Sequence, residues 1–156
     1  MSSAEDVLTA LRRLIRATDL QSRQLERTVG LTAPQLLLLQ ILRQQGEMTI
    51  GGLAKEMNLS QATVTTVMDR LENRRLVERV RGETDKRKVF AVLTSEGETV
   101  VSNAPPLLQQ NFIRQFQDLQ AWEQSMILSS LQRLAQMMDA QHLDASPVLD
   151  IGALDR

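Results

Sequence analysis

Residues 60 to 93 read SQATVTTVMDRLENRRLVERVRGETDKRKVFAVL, and the run changes period halfway. Val64, Val67, Met68 and Leu71 recur at the spacing of one helix face, and Ser60 stands where an N-cap belongs. Leu76, Val77 and Val80 then read as one strand and Val89, Ala91 and Leu93 as a second. Gly82 to Asp85 supply turn residues between them. The resulting hairpin is loaded with Arg79, Arg81, Lys86, Arg87 and Lys88. Turn residues suffice to close a hairpin, so these cations ask for another explanation. Protection of an edge strand is one answer, and lysine alone would serve it. A mixture of arginines beside Asp85 fits positioning of charge better.

The residues just upstream complete the plan. Thr49 can cap a helix in which Ile50, Leu53, Ala54 and Met57 share a face, although Gly51 and Gly52 fit it poorly, at about 1 kcal/mol each. Asn58-Leu59 leaves room for only a tight turn before Ser60, giving a helix-turn-helix followed by a hairpin. Further back, Thr32 and Pro34 mark a helix start, and LLLLQIL (36–42) is apolar almost all round, as a central buried helix should be. Gly46 stops it. Residues 5–27 form an amphipathic helix pattern with Val7, Leu8, Leu11, Leu14 and Ile15 on one side, ended by Gly30. Downstream, Thr94-Ser95-Glu96-Gly97 begins another helix, Pro105-Pro106 interrupts, and 107–138 holds two amphipathic segments divided near Asp118. In the tail, Val148, Leu149, Ile151 and Leu154 want a surface.

With its apolar side turned inward, the helix after Ser60 presents Ala62, Thr65, Thr66, Asp69, Arg70 and Asn73, with Gln61 and Thr63 at its start. Short polar side chains let a helix enter a major groove about 12 Å wide. Gln61 suits an adenine edge, Ala62 a thymine methyl, and Thr63 and Thr66 phosphates or bases. The helix start itself favours an anion. Such a face is also what an ordinary solvated helix shows; the cationic hairpin beside it favours nucleic acid, with the helix in the major groove and an arginine in the narrow one.

Bulk composition closes other routes. The 156 residues favour one domain, 42% hydrophobic and 24% charged, an ordinary globular balance. Cysteine is absent and His142 is the one histidine, which removes disulfides, thiol chemistry and multi-histidine metal sites. Neither metal nor cofactor is expected. Aromatics at 3% argue against a stacking platform for single strands. No run approaches the roughly 20 apolar residues of a membrane span, and the amphipathic, acid-bearing N-terminus does not read as a signal peptide, so a cytoplasmic protein without a membrane partner is expected. Net charge is −1, but Asp69 to Phe90 carries eight basic residues against five acidic. Positive charge is concentrated around the hairpin.

The run from Leu53 to Gly97 resembles the MarR family of winged helix-turn-helix regulators, and the likeness extends over nearly the whole chain. Its most specific part is Arg79, then Asp85-Lys86-Arg87, then Leu93-Thr94-Ser95-Glu96-Gly97. The resemblance implies a mainly α fold with a small β-hairpin wing, a lobe at 32–97, and dimerisation helices and tail at 1–31 and 98–156. It implies that Asp85 braces the wing while Arg87 enters the minor groove. Recognition-helix positions fall on Ser60, Gln61, Ala62, Thr63, Thr66 and Arg70; Thr65, Arg81, Lys86 and Lys88 complete the expected DNA-binding set. Two residues depart from the pattern. Arg75 stands where a glycine is usual, at a cost of about 1 kcal/mol if that position is left-handed and with a slightly altered turn expected. Lys86 keeps the charge of the usual arginine without its fork. The stretches LTALRRLIRATDLQSRQLE (8–26) and ASPVLDIG (145–152) are similar to a subgroup tied to compatible-solute genes, such as those for ectoine.

The resemblance implies a homodimer, and Leu8, Leu11, Ile15, Phe112, Phe116, Ile127, Leu131 and Leu134 would share its interface. A two-fold dimer predicts a pseudo-palindromic operator with half-sites about one helical turn apart. Many such regulators hold a small anionic or aromatic effector. Met48, Met57, Met68, Met126, Met137 and Met138 would suit a pocket, though methionine is commonly core filler; Arg12, Arg13 and Arg16 would meet a carboxylate, though a solvated helix face explains them as well. The function expected is a dimeric double-stranded-DNA-binding transcriptional regulator, a repressor in preference to an activator. The alternative is a winged-helix module that binds protein through the same surfaces. An enzyme is disfavoured: no phosphate loop, metal cluster or nucleophile with a partner histidine appears.

Overall fold

The computed structural model describes residues 2–143 and 148–149. In chain order these form α1 (Ser3–Val29), α2 (Ala33–Gln45), β1 (Met48–Thr49), α3 (Ile50–Met57), α4 (Gln61–Asn73), β2 (Val77–Arg81), β3 (Val89–Leu93), α5 (Ser95–Asn103), α6 (Leu108–Gln117) and α7 (Ala121–Met137). The described residues fall into two compact units, one of 2–105 with 148–149 and one of 106–143.

The caps are local and set the helix boundaries of the first unit. Thr32 and Gln35 form a reciprocal capping box at α2, and Thr49, Ser60 and Thr94 each accept a hydrogen bond from the N–H three residues on. Gly30 closes α1 in the left-handed conformation at φ 67°, which glycine adopts without a Cβ clash. Asn58 takes the same conformation at φ 54° after α3, and the Leu59 N–H reaches back to the Ala54 carbonyl at 2.9 Å. The chain then re-enters a helix at once.

The core lies between α2, α3, α4 and the sheet. Leu36, Leu38, Leu39, Leu53, Met57, Val64, Val67, Met68, Leu71 and Val77 are fully buried. Truncating one of these leucines to alanine costs about 2–5 kcal/mol. The sheet is antiparallel in the order β1-β3-β2. Sequence periodicity misses β1, whose two residues are extended only because Met48 pairs with Ala91 and Thr49 with Phe90. Val148 is also buried, as its apolar character predicts, whereas Leu149 beside it is exposed; Ile151 and Leu154 lie outside the described residues.

In the second unit α6 and α7 follow one another across a short link at 118–120. The Gln124 side-chain amide donates to the Phe116 and Leu119 carbonyls at 2.9 and 3.3 Å, capping the end of α6. Phe112 and Phe116 stack one turn apart, centroids 5.3 Å. Neither helix fully buries a side chain, and Phe112, Ile113, Trp122, Met126, Leu128 and Leu131 are exposed. On α1, Val7, Leu8, Leu14, Ile15 and Leu20 are exposed in the same way, and only Leu25 is buried.

Candidate nucleic-acid interface

Two elements of the first unit present the expected residues. The first is the start of α4. Ser60 Oγ accepts from the Thr63 N–H at 3.1 Å and lies 2.9 Å from Thr63 Oγ1. Gln61, Ala62, Thr65 and Arg70 are exposed and Thr63 and Thr66 half-buried, while Val64, Val67, Met68 and Leu71 point inward. The amphipathic reading of α4 thus holds residue by residue. The Thr65 and Thr66 hydroxyls are committed: they donate to the Gln61 and Ala62 carbonyls at 2.8 and 3.2 Å. Toward a partner these two threonines offer oxygen lone pairs and methyl groups. Gln61 leans toward α3, its amide nitrogen 3.4 Å from where a Cβ on Gly51 would stand.

The second element is the wing. Residues between β2 and β3 form a loop from Gly82 to Lys88, longer than the turn expected at Gly82–Asp85, because the Gly82 N–H reaches the Lys88 carbonyl at 2.9 Å. A Cβ on Gly82 would stand 2.6 Å from the Asp85 carbonyl oxygen, so the loop closes on a position that admits no side chain. Asp85 Oδ1 accepts from both the backbone N–H and the Nε of Arg87, at 3.0 and 3.2 Å. These bonds hold the Asp85 carboxyl below the usual carboxylate range; the Arg87 backbone N–H contributes most, then the Arg87 guanidinium, with Lys88 adding a smaller coulombic pull. The carboxylate fixes the base of a guanidinium that is otherwise 92% exposed. Arg81, Lys86 and Lys88 are exposed and form no ion pair among the described residues.

Arg79 does not belong with them. It lies on β2 opposite Ala91 and pairs with Asp69 at 2.6 Å and Glu72 at 3.2 Å, both on α4. Its side chain is 26% exposed. It spends its charge joining wing to helix, so of the five hairpin cations Arg81, Lys86 and Lys88 are unpaired among the described residues and Arg87, though paired with Asp85, stays exposed. Two acids three residues apart on α4, followed by an arginine in the next strand, were the sequence signal for this buttress. Arg74, the C-cap of α4, is also engaged: it donates to the Gly30 and Val29 carbonyls at 2.5 and 3.1 Å. Nothing local in the sequence marks that contact.

Arg75 sits at φ 60°, so the departure from glycine is accommodated by strain at a left-handed residue. Its N–H donates to the Glu72 carbonyl at 2.9 Å, and its carbonyl accepts from Thr94 Oγ1 at 2.7 Å. Of the methionines weighed for a pocket, Met57 and Met68 are core, while Met126, Met137 and Met138 are exposed. Arg12 bonds Thr9 and Arg16 pairs with Asp19, both on their own helix. Among the described residues no cluster of acids and histidine is placed to hold a metal ion, and no helix is long and apolar enough to cross a membrane.

Comparison with known proteins agrees with this geometry. The MarR family profile matches residues 31–89. The uncharacterized HTH-type transcriptional regulator YsmB of Bacillus subtilis (strain 168) is 31% identical over 133 residues, 85% of this chain and 91% of that protein. Among solved structures, BpsR of Bordetella bronchiseptica is 30% identical, covers 86% of this chain and 96% of its own, and superposes with a TM-score of 0.58; its DNA binding is regulated by 6-hydroxynicotinic acid. YusO of Bacillus subtilis is 27% identical, covering 87% and 94%, with a TM-score of 0.55.

Proposed function

The chain belongs to the MarR family, and on that premise we propose that it is a homodimeric repressor that binds a pseudo-palindromic operator in double-stranded DNA. Its relatives are transcriptional regulators and not enzymes, which supports a DNA-binding regulator acting in the cytoplasm. The observation that carries the reading is the Arg79 buttress. By bonding Asp69 and Glu72 it holds the wing beside α4, so that a small polar helix face and an exposed cationic tip move as one body. The lobe at 32–97 contacts DNA. Ser60, Gln61, Ala62, Thr63, Thr65, Thr66 and Arg70 face the major groove. Arg87, braced by Asp85, enters the minor groove, and Arg81, Lys86 and Lys88 meet phosphates.

Dimerisation runs through residues 1–31 and 98–156. The exposed Leu8, Ile15, Phe112 and Leu131, together with the half-buried Leu11, Phe116, Ile127 and Leu134, support it, since such apolar side chains are costly to leave in water. A small anionic aromatic effector is proposed on the precedent of BpsR, acting through unequal affinity for two spacings of the recognition helices.

Gel-shift titration against duplexes selected from a random-sequence library tests the function. Affinity should fall steeply with salt as phosphate counterions are released, with a log–log slope of several units. A flat salt response would instead favour a protein partner on the same surfaces.

A further inference from the structure

We infer that Arg74 is a positioning residue that sets how far apart the two recognition helices of the dimer stand, and thereby which half-site spacing the protein accepts. The inference rests on the proposed dimeric, DNA-binding reading. Its structural basis lies wholly within the first unit.

Two contacts near the C-terminal end of α1 bear on its orientation. Leu25 is its one fully buried side chain. A turn later, the Val29 and Gly30 carbonyls face the Arg74 guanidinium, which bonds both. These are carbonyls at the negative end of a helix, which the helix itself leaves without N–H partners, and a cation is the favoured group there. Leu25 is apolar and serves as a pivot; it resists separation but not tilt. Arg74 is directional, because a planar guanidinium bonding two adjacent carbonyls fixes an angle.

The same residue caps α4. Ser60 and Gln61, at the reading end, lie at the other end of that 13-residue helix, about 20 Å away. A tilt of roughly 10° about the Arg74 end moves the reading end by about 3.4 Å, the rise of one base pair. Loss of the clamp therefore affects the separation of two half-sites more than the reading of either one. Direct phosphate contact does not account for Arg74. It sits at the end of α4 opposite Ser60, and both its bonds run to α1.

The test uses the full chain and duplexes carrying two copies of the wild-type-selected half-site at spacings varied one base pair at a time, plus a single half-site duplex. Wild type should prefer one spacing by about tenfold or more over its neighbours. Arg74→Gln should flatten that preference to about threefold or less while binding the single half-site within about twofold of wild type. Arg74→Lys, able to reach one carbonyl at a time, should fall between them; it carries the test if the glutamine variant fails to fold. An unchanged spacing preference in both variants would overturn the inference. So would equal losses on every duplex including the single half-site, which would mark Arg74 as merely holding the lobe together. Failure of wild type to bind any duplex would sink the proposed function itself, a distinct result.

Discussion

Arg75→Gly should stabilise the protein. Arg75 occupies φ 60°, where an L side chain costs about 1–2 kcal/mol. Glycine removes that cost but gains freedom in the unfolded chain, which returns about 0.5–1 kcal/mol. The contacts that hold the turn are backbone ones, from Arg75 N–H to Glu72 and from Thr94 Oγ1 to the Arg75 carbonyl, and glycine keeps both. The guanidinium is exposed and makes no ion pair among the described residues, so little is lost with it. The net expectation is a gain of about 0.5–1 kcal/mol, or roughly 1–4 °C in Tm. Thermal melts followed by circular dichroism at matched protein concentration would measure it, the matching being necessary for a dimer. Arg75→Asn should capture part of the gain, because asparagine tolerates the left-handed region. Operator affinity should stay within about twofold, since the residue lies beyond the C-terminal end of α4. A glycine variant that melts below wild type would refute the reasoning and imply a partner for the guanidinium.

Other perturbations separate the roles of the site. Arg87→Ala should weaken operator binding by about 1–3 kcal/mol without dissociating the dimer, read by gel shift and sedimentation; an unchanged midpoint would remove Arg87 from the interface. Gln61→Ala should relax base preference more than it lowers nonspecific affinity, and equal losses on all sequences would make Gln61 a phosphate contact. Arg79→Met should lower affinity for specific and nonspecific DNA together, because it frees the wing from Asp69 and Glu72; selective loss of base preference would contradict the buttress. The Asp85 carboxyl should titrate below the ordinary aspartate range by carbon-detected NMR. Its folded-state value is depressed, so the stability the brace adds is fully present above the ordinary carboxylate pKa and is gone once pH has fallen through the lower folded-state value. In Arg87→Ala the depression should persist in part, because the backbone N–H is its largest cause; full recovery of the ordinary value would assign the effect to the side chain.

What the sequence makes legible here is what short-range chemistry decides. The caps at Thr32, Thr49, Ser60 and Thr94 and the inward stripe Val64, Val67, Met68 and Leu71 depend on neighbours within a turn or two, and each stands where periodicity and residue type put it. The pair Asp85 and Arg87 is equally local. Long-range partners escape. Met48-Thr49 is a strand only because residues some forty positions later pair with it. The wing loop runs to Lys88 because a cross-strand bond closes it there. Arg74 and Arg79 look like two more surface cations until their partners on α1 and α4 are in view. Charge counting along the chain cannot tell a spent cation from a free one.

The back-bonded hydroxyls of Thr65 and Thr66 have a chemical consequence for the proposed complex. With those protons already given to the backbone, this stretch of helix meets the groove as a field of acceptors and methyl groups. It would prefer base edges that donate, the exocyclic amines of adenine and cytosine, and it would feel the C5 substituent of pyrimidines. Uracil in place of thymine should then read as a small hole, and 5-methylcytosine as a partial likeness of thymine, so the modification state of an operator could be sensed as well as its letters.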